Sequence, residues 1–596
     1  MTSAQESLAP RRPGPPRVRL ATLLAIVAMV GRSINASPAR ADWPQFGQPI
    51  STFPDNQEHS AVATDGAGGA IVAWHDGRFP TVNIFAEHVL FNGDLDPLWP
   101  FEAQPLLTDP IALSTADGGQ TSPVIVPDGA GGAIVAWQDN RDPVTGTDIF
   151  AQHVLGTGEV DRSWPANGAA LCTAVGVQDG LVIATDGAGG AYVAWTDSRL
   201  GAGEIDIFAQ HVLASGATDA RWPTNGLDVC TAPGRQEFPA IVSDGAGGAI
   251  IAWDDLRSAA TGSDVFAQHV LSAGVVDPAW PVNGRALCAA PGGQVRPTIA
   301  PDGAHGAVVS WSDSRVVGTS HIFANHVLAS GALDPAWPED GRAISNAGVL
   351  ESRPLAVSDG AGGAIVTWQA FTVHLNMVAQ HITAAGVVDR AWPGGGRALS
   401  ITPRQQSLAD IVSDGAGGAV VAWQDSFAVV AQHVLSSGGL DPAYPDTGLQ
   451  VCNLPTQAGD VSLVATGASG AIASWTDSRN GKDTDIYAMQ VLAITAAGVP
   501  GPASSGLAFA PPSPNPARGS LRLQFGLPRS ARVSLVVCDV TGRRLRELAS
   551  GIRPAGEQSL TWDLRDDRGA AVGAGLYFVR LEADGRTITR KVATLH

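Results

Sequence analysis

The chain has 596 residues, a length that corresponds to about four domains of roughly 150 residues each. Apolar residues make up 44% of it, which excludes a disordered chain. The 37 Lys and Arg face 56 Asp and Glu, giving a net charge of −19, so we expect no nucleic-acid partner. The 70 Gly and 41 Pro follow no three-residue period, which excludes collagen and indicates many turns.

The N-terminus carries the pattern of an export signal. Four arginines between positions 11 and 19 precede a short apolar run, 20–30, and Ala39-Arg40-Ala41 then precedes Asp42. A positive segment, a short apolar segment and a small-x-small motif are typical of a cleaved secretory signal peptide. We therefore predict that residues 1–41 are removed and that the protein is secreted or attached to the outer surface. No other run reaches the length of a membrane span, so we predict no transmembrane helix.

The dominant signal is internal repetition. The chain contains eight copies of the segment Asp244–Trp253, at spacings of 52 to 63 residues. We number the repeat units 1 to 8 by the tryptophan that ends each copy: Trp74, Trp137, Trp195, Trp253, Trp311, Trp368, Trp423 and Trp475. Such a period is typical of a repeat array.

Each unit has the pattern of four short strands. In unit 4 these are Phe238–Ser243, Ala249–Trp253, Asp264–Leu271 and Arg285–Ala289, with a glycine-rich hairpin between the first two. The pattern predicts an all-β chain with an eight-bladed β-propeller over residues 42–495. A β-solenoid or a row of stacked sandwiches is the alternative.

The two ends of the array favour closure. A Trp-Pro-x-x-Gly element follows the third strand of the earlier units, and unit 7 has a Tyr444-Pro445 variant. Unit 8 lacks this element, but Trp43-Pro44-Gln45-Phe46-Gly47 supplies one at the N-terminus, followed by Ile50. We therefore predict that the N-terminal strand completes the last blade, which leaves no free sheet edge at the seam.

An Asp-x-Arg loop follows the second strand in six units, with arginines Arg78, Arg141, Arg199, Arg257, Arg315 and Arg479. The third strand usually opens with Asp, as at Asp148, Asp206, Asp264 and Asp485, and units 6 and 7 lack both features. This joint loss predicts an arginine–carboxylate clamp between the loop and the third strand. A ligand site built from six equivalent arginines is the alternative.

Two repeated polar positions are candidates for ligand binding. Seven histidines share one position, and we interpret them as structural, since equivalent side chains on separate blades diverge: His88, His153, His211, His269, His326, His381 and His433. Seven aspartates lie in the glycine-rich hairpins, and we interpret them primarily as turn residues: Asp65, Asp128, Asp186, Asp244, Asp302, Asp359 and Asp414. If the first strands are innermost, these carboxylates crowd one mouth of a central channel, where they would attract Ca²⁺ or a cationic ligand. We expect no other cofactor.

The sequence offers no recognisable catalytic centre. It contains no P-loop, GxSxG, HExxH or Rossmann pattern, and the loops are short and uniform. Asp-Gly near Trp is similar to the Asp-box of sialidase-like propellers, but nine positions separate Asp65 from Trp74 rather than five. None of the four tyrosines stands outside a repeat or tail position as a nucleophile would. The chain has five cysteines, an odd number, and Cys172, Cys230 and Cys288 fall at equivalent repeat positions, which predicts small buried side chains rather than a disulfide framework. Reactive or paired thiols are the alternative.

A second domain follows a Gly/Pro/Ser-rich linker at 496–512. Residues 513–596 carry fourteen Lys and Arg against eight Asp and Glu, and alternating runs at Leu521–Phe525, Val533–Val537 and Gly575–Leu581 predict an Ig-like sandwich. The order Ser513-Pro-Asn-Pro, Val540-Thr-Gly-Arg, Trp562-Asp, Gly575-Leu-Tyr and Arg590-Lys-Val resembles the FlgD Ig-like domain and the C-terminal sorting domain of type IX secretion substrates. That resemblance implies passage across the outer membrane or surface attachment, with the secretion machinery as partner. A plain accessory Ig module is the alternative.

These patterns together predict an exported bacterial protein, monomeric, whose propeller is a non-catalytic scaffold for an unknown protein or glycan ligand. The alternative is a sialidase-like or other glycan-processing enzyme, which a clustered carboxylate pair on one propeller face would favour.

Overall fold

The computed structural model describes residues 43–492 and 508–594, apart from short gaps at 45, 80, 98, 100–109, 202, 346–347, 453–457, 468–469, 510–511, 513–516, 518–520, 528–530, 540–542, 554–555 and 584–585. These residues form strands and no helix, as the alternating patterns predict. The predicted signal peptide and most of the predicted linker lie outside the described residues. No helix in the described part of the chain has the length and apolarity needed to cross a bilayer.

Units 1 to 4 follow the N-terminal strand β1 (Gln48–Ser51). Their strands are β2 (Gln57–Thr64), β3 (Ala70–Asp76), β4 (Asn83–Val89) and β5 (Ile111–Ser114); β6 (Gln120–Pro127), β7 (Ala133–Asp139), β8 (Gly146–Val154) and β9 (Ala169–Cys172); β10 (Gly176–Thr185), β11 (Ala191–Asp197), β12 (Asp206–Val212) and β13 (Leu227–Cys230); β14 (Gln236–Ser243), β15 (Ala249–Ser258), β16 (Gly262–Leu271), β17 (Val275–Val276) and β18 (Arg285–Cys288).

Units 5 to 8 repeat this order. Their strands are β19 (Gln294–Pro301), β20 (Ala307–Asp313), β21 (His321–Val327) and β22 (Arg342–Ala343); β23 (Leu350–Ser358), β24 (Ala364–Phe371), β25 (Leu375–Ile382) and β26 (Arg397–Ala398); β27 (Gln406–Ser413), β28 (Ala419–Asp425), β29 (Ala428–Val434) and β30 (Leu449–Cys452); β31 (Ala458–Gly467), β32 (Gly470–Asp477) and β33 (Asp485–Leu492).

In each unit the first three strands pair antiparallel in sequence order, and a fourth strand pairs antiparallel with the third. A short parallel pairing between β8 and β10 also links the sheets of units 2 and 3. The first strand of every unit, which we call the inner strand, contacts the inner strand of the next unit, and β31 of unit 8 contacts β2 of unit 1. The four strands predicted for unit 4 are all present; the first three are longer than predicted, and the fourth ends one residue earlier.

The N-terminal segment supplies the fourth strand of unit 8, as predicted. Strand β1 pairs antiparallel with β33, with Gln48 opposite Ala488. Gly47 has a φ of +97° and lies over the indole of Trp475, where an added Cβ would approach Cη2 to 2.5 Å. Gly284 holds the same position over Trp253 in unit 4. The N-terminus therefore makes in unit 8 the contacts that a continuous chain makes in the others.

The hydrophobic core lies between neighbouring sheets. One cluster joins Trp222 of unit 3 to Trp253 of unit 4, and another joins residues of unit 8 to residues of unit 1 around Trp74. The second-strand tryptophans of all eight units have no solvent-exposed surface. Because a β-sheet must cover both faces, this sheet-on-sheet packing explains why the second strands are apolar throughout.

The arginine clamp exists, but its predicted partner is wrong. Arg141 donates through Nε and Nη2 to Asp139 of its own loop, at 2.8 and 2.6 Å, and its guanidinium lies 3.8 Å from the ring centre of Phe150 on the third strand. In the described part of the chain, these arginines pair with the loop aspartates and not with the third-strand aspartates. Burial raises the pKa of Asp206 and of Asp485 to about 6. The tie to the third strand is therefore a cation–π contact.

The C-terminal region forms two sheets around one core. One contains β34 (Ala508–Phe509), β35 (Leu521–Leu527) and β38 (Gly556–Trp562), and the other contains β36 (Ala531–Asp539), β37 (Arg544–Arg553), β39 (Gly575–Ala583) and β40 (Arg586–Thr594). The three predicted strand runs are confirmed. Strand β34 differs from expectation, because it lies within the predicted linker and its Phe509 is buried in the core of this region.

Candidate functional site

The inner strands carry a bulge at the same place in all eight units. In unit 4 the pairing of β14 with β15 shifts register between Glu237 and Ala240, and the first of the two residues inside this shift, Phe238, has a φ of +52°. The equivalent residues all have a positive φ and are called here the bulge residues: His59, Ser122, Gly180, Phe238, Arg296, Arg353, Leu408 and Asp460. A bulge re-aims a side chain, and left-handed non-glycine residues are costly unless the surroundings hold them.

The bulge residues line two adjoining cavities bounded by the inner strands. The larger has a volume of about 1100 Å³ and is lined by residues of units 2 to 7, and the smaller has a volume of about 380 Å³ and is lined by units 8, 1, 2 and 3. Val124, Asp179, Gly180 and Leu181 line both. We refer to them together as the inner cavity. The eight bulge residues differ in charge and size, although much of the surrounding repeat is nearly constant. Each unit therefore presents a different side chain at this position.

The wall from unit 4 to unit 6 combines aromatic and basic side chains. Phe238 is 45% exposed, and the Arg296 guanidinium lies 4.4 Å from its ring centre. Arg353 follows at the next bulge, and both arginines are exposed in the cavity. An aromatic face beside two guanidinium groups can stack on a ring and pair with a carboxylate or sulfate.

A pair of carboxylates lies beside this wall. Glu237 of β14 is directly opposite Asp254 of β15. Asp254 is 2% exposed and its Oδ1 has no hydrogen-bond partner. Burial, followed by the charge of Glu237, raises the pKa of Asp254 to about 7. Asp254 can therefore exchange a proton near neutral pH.

The predicted calcium residues lie away from these bulges, in seven separate hairpins. Oδ1 of Asp65 accepts from the backbone N–H groups of Ala67 and Gly69, and its Oδ2 lies 3.1 Å from Nε2 of His88. Nδ1 of the same histidine lies 2.9 Å from Asp96. The same Asp–His–Asp arrangement recurs in units 2 to 7. Calcium binding by the hairpin aspartates stays a prediction, and each carboxylate already has local partners.

The second aspartate of each arrangement was missed from sequence. It lies eight residues after the histidine in all seven units: Asp96, Asp161, Asp219, Asp277, Asp334, Asp389 and Asp441. In unit 8 the histidine position is occupied by Gln490, the hairpin aspartate position by Gly467 and the second aspartate position by Gly498. This joint loss is the signal that could have identified the partner. It also supports the structural interpretation of the histidines.

These arrangements predict a pH-dependent stability. The flanking aspartates outweigh burial and raise the pKa of His433, and hydrogen bonds from this histidine and the hairpin amides likewise outweigh burial to lower the pKa of Asp414. The histidine contribution to the free energy of unfolding is complete below about pH 6.5 and is lost as pH rises through the pKa of the folded state. The aspartate contribution to the same free energy is lost as pH falls below about 4. The melting temperature should therefore be highest between these two pH limits.

His433→Gln introduces the residue that unit 8 has at this position, Gln490. The variant should lose less melting temperature than the parent between pH 6 and pH 8. An unchanged dependence of the melting temperature on pH would contradict the role of His433.

The remaining sequence candidates are structural. All five cysteines are buried and no disulfide links them, as predicted, and burial raises the pKa of Cys230 to about 12. The Tyr192 hydroxyl donates to the carbonyl of Gly247, and the Tyr577 hydroxyl donates to the carbonyl of Gly573. Tyr444 is buried, and Tyr487 lies under Arg479. No tyrosine lines the inner cavity.

Comparison with known proteins assigns the C-terminal region. Residues 515–586 match the family model of the FlgD Ig-like domain, within the predicted 513–596. The class of protein is therefore an all-β repeat array with an inner cavity and a C-terminal FlgD Ig-like domain. A search of curated protein sequences finds no match to the chain.

Solved structures to which parts of the chain are similar include a lectin, a β-propeller domain and a secretion-system component. The BP39L lectin from Burkholderia pseudomallei is 12% identical, with 66% of this chain and 99% of the lectin covered and a TM-score of 0.41. The β-propeller domain of the Trilobed protease from Pyrococcus furiosus is 8% identical, with 68% and 98% covered and a TM-score of 0.38. PorZ, a surface component of the type IX secretion system of Porphyromonas gingivalis, is 13% identical, with 91% and 82% covered and a TM-score of 0.26.

Proposed function

We propose that this protein is an exported bacterial surface or extracellular protein whose eight units close into a propeller that binds a ligand without catalysis. The contacts between successive inner strands, including β31 with β2, support a closed ring. The observation that carries the binding role is that the residues which differ between units gather around the inner cavity. Variable side chains on a constant scaffold are typical of recognition.

The ligand class is an acidic oligosaccharide. Phe238 offers an exposed aromatic face, and Arg296 and Arg353 offer guanidinium groups that pair with carboxylates or sulfates. The chain as a whole is acidic, so the attraction is local and depends on contact inside the cavity.

The terminal regions fit an exported protein. Residues 1–41 act as the signal peptide, and residues 513–596 act in secretion or anchoring through contact with the secretion machinery, as the FlgD-like match supports. Residues 42–495 form the propeller as a monomer, and 496–512 connect it to the Ig-like domain. Deleting residues 513–596 should leave the protein in the periplasm, which fractionation of the producing cell measures; unchanged export would contradict the role of this domain.

Calorimetric titration with oligogalacturonate, an acidic oligosaccharide, tests the binding role. Arg296→Leu with Arg353→Leu copies Leu408 of unit 7, which has the same positive φ, so the fold should tolerate it. We expect the double variant to bind at least about tenfold more weakly, a loss of about 1.4 kcal/mol. Arg162→Ala with Arg390→Ala removes the same charge at loop positions outside the larger cavity and should bind as the parent does. Equal binding by all three proteins would contradict the site.

The carboxylate pair favours a second function, a glycan-processing enzyme. Asp254 would act as the general acid, because its pKa of about 7 keeps part of the population protonated at neutral pH, and Glu237 as the charged partner. New reducing ends released during the same titration, and lost in Asp254→Asn, would support this function over simple binding. Undegraded ligand would support the scaffold.

A further inference from the structure

Three potential metal ligands meet at the bulge of unit 1. Glu58 and His59 lie on β2 and His75 lies opposite on β3, and one ligand atom of each lies within 4.8 Å of those of the other two. Oε2 of Glu58 is 3.6 Å from Nε2 of His75, and the two imidazole rings are 4.9 Å apart. Ligands of a tetrahedral zinc ion with bonds near 2.0 Å are separated by roughly 3.3 Å, so small side-chain rotations bring this group into range.

The two histidines break the repeat together, while the position of Glu58 is also occupied by a glutamate in unit 4. At the position of Glu58 the other units carry Thr121, Asp179, Glu237, Val295, Ser352, Ser407 and Gly459. At the position of His75 they carry Gln138, Thr196, Asp254, Ser312, Gln369, Gln424 and Thr476. Among the eight units, only unit 1 has a histidine at the bulge position or at the second-strand position of His75. These histidines are also distinct from the seven repeated ones, because no hairpin aspartate contacts them.

We propose that Glu58, His59 and His75 bind a divalent transition metal ion, Zn²⁺ by preference, at the wall of the inner cavity. Two imidazoles and one carboxylate favour zinc over Ca²⁺, which prefers oxygen ligands. Three protein ligands leave a fourth position for water or for a donor atom of a bound ligand. His59 contributes to the smaller cavity, so that position is accessible from it.

The surroundings suit the metal. Nδ1 of His59 lies 3.8 Å from Oδ2 of Asp460, the bulge residue of unit 8, and a carboxylate beside a ligating histidine orients the ring. Nδ1 of His75 is buried with no hydrogen-bond partner. Since Asp460 belongs to unit 8, the site also spans the seam.

Calorimetric titration of the chelator-treated full chain with ZnCl₂ tests the proposal. We expect one site per chain. Glu58→Thr with His59→Ser and His75→Gln imports the residues of unit 2, which fold at these positions, and should weaken Zn²⁺ binding on the order of 100-fold while melting in the absence of metal stays within a few degrees. Asp460→Asn should weaken binding by about tenfold.

A reciprocal variant serves as the control. Thr121→Glu, Ser122→His and Gln138→His, placed in the triple-variant background, should restore one Zn²⁺ site in unit 2. X-ray absorption of the zinc-loaded parent should show nitrogen and oxygen ligands only, including imidazole. The absence of a Zn²⁺ heat, or a Zn²⁺ site that the triple variant keeps, would overturn the proposal. CaCl₂ titration should leave this site unfilled, and a Ca²⁺ heat lost in the triple variant would overturn the choice of metal.

Discussion

Replacing Trp253 with alanine should lower the free energy of unfolding by about 3–5 kcal/mol. The indole has no exposed surface, packs in the core between units 3 and 4, and stacks with Phe266 at 6.4 Å. Its Nε1 donates to Oδ2 of Asp255 at 2.8 Å, so the change also removes a bond from a buried carboxylate. Chemical denaturation of the full chain measures the loss.

Val282→Ala provides the matched control in the same unit. Val282 is 89% exposed, so its truncation should change stability by no more than about 0.5 kcal/mol. A Trp253→Ala protein with the denaturation midpoint of the parent would contradict the placement of the tryptophans between sheets.

Replacing Gly47 with valine should release the N-terminal strand at a cost of about 3 kcal/mol or more. The residue has a φ of +97°, which a β-branched side chain tolerates poorly, and the new Cβ would lie 2.5 Å from the Trp475 indole. Once Gly47 cannot lie on Trp475, β1 loses its register with β33. Limited proteolysis should then cleave before residue 52 at least tenfold faster than in the parent.

Gly66→Val separates backbone strain from the steric clash. Gly66 has a φ of +70°, and no atom lies within 4 Å of an added Cβ. We expect a cost of about 1–2 kcal/mol and no new cleavage at the N-terminus. Equal proteolysis of the two variants would count against a specific role for Gly47 at the seam.

The repeat made most of the fold predictable. Because eight copies share one pattern, the four strands of each unit and the missing fourth strand of unit 8 follow from comparison within the chain. The buried tryptophans and cysteines follow for the same reason. A feature that recurs in every unit is structural, and internal comparison identifies it.

The same comparison misassigned the arginine partner. Units 6 and 7 lose the arginine, and Val378 and Val430 replace the third-strand aromatic residue that stands at Phe150 in unit 2. That second joint loss indicates the cation–π contact, but the aspartate was the more familiar partner for an arginine. Since Asp139 and Arg141 are only two residues apart, their pairing adds no long-range signal to the sequence.

The inner-cavity residues could not be predicted from the pattern. His59, Arg296 and Asp460 differ from the residues at the same position in the other units. Because comparison of the units identifies residues that they share, it gives no signal at positions that vary. Their grouping depends on the bulge, whose register shift and positive φ arise from pairing with the second strand. The arrangement of the inner strands brings residues of units 8 and 1 together at this cavity.

Disulfide trapping at the seam tests the central claim, that the N-terminal strand closes the array and so assembles the inner cavity. Gln48 and Ala488 are cross-strand partners, and Gln48→Cys with Ala488→Cys should oxidise to a bond linking the two termini of the array. Ala431 occupies the equivalent position in unit 7, so Gln48→Cys with Ala431→Cys should stay reduced. Mass spectrometry of the digested protein should find a 48–488 linked peptide in the first variant alone. No linkage in the first variant, or equal linkage in both, would contradict the closed eight-unit array.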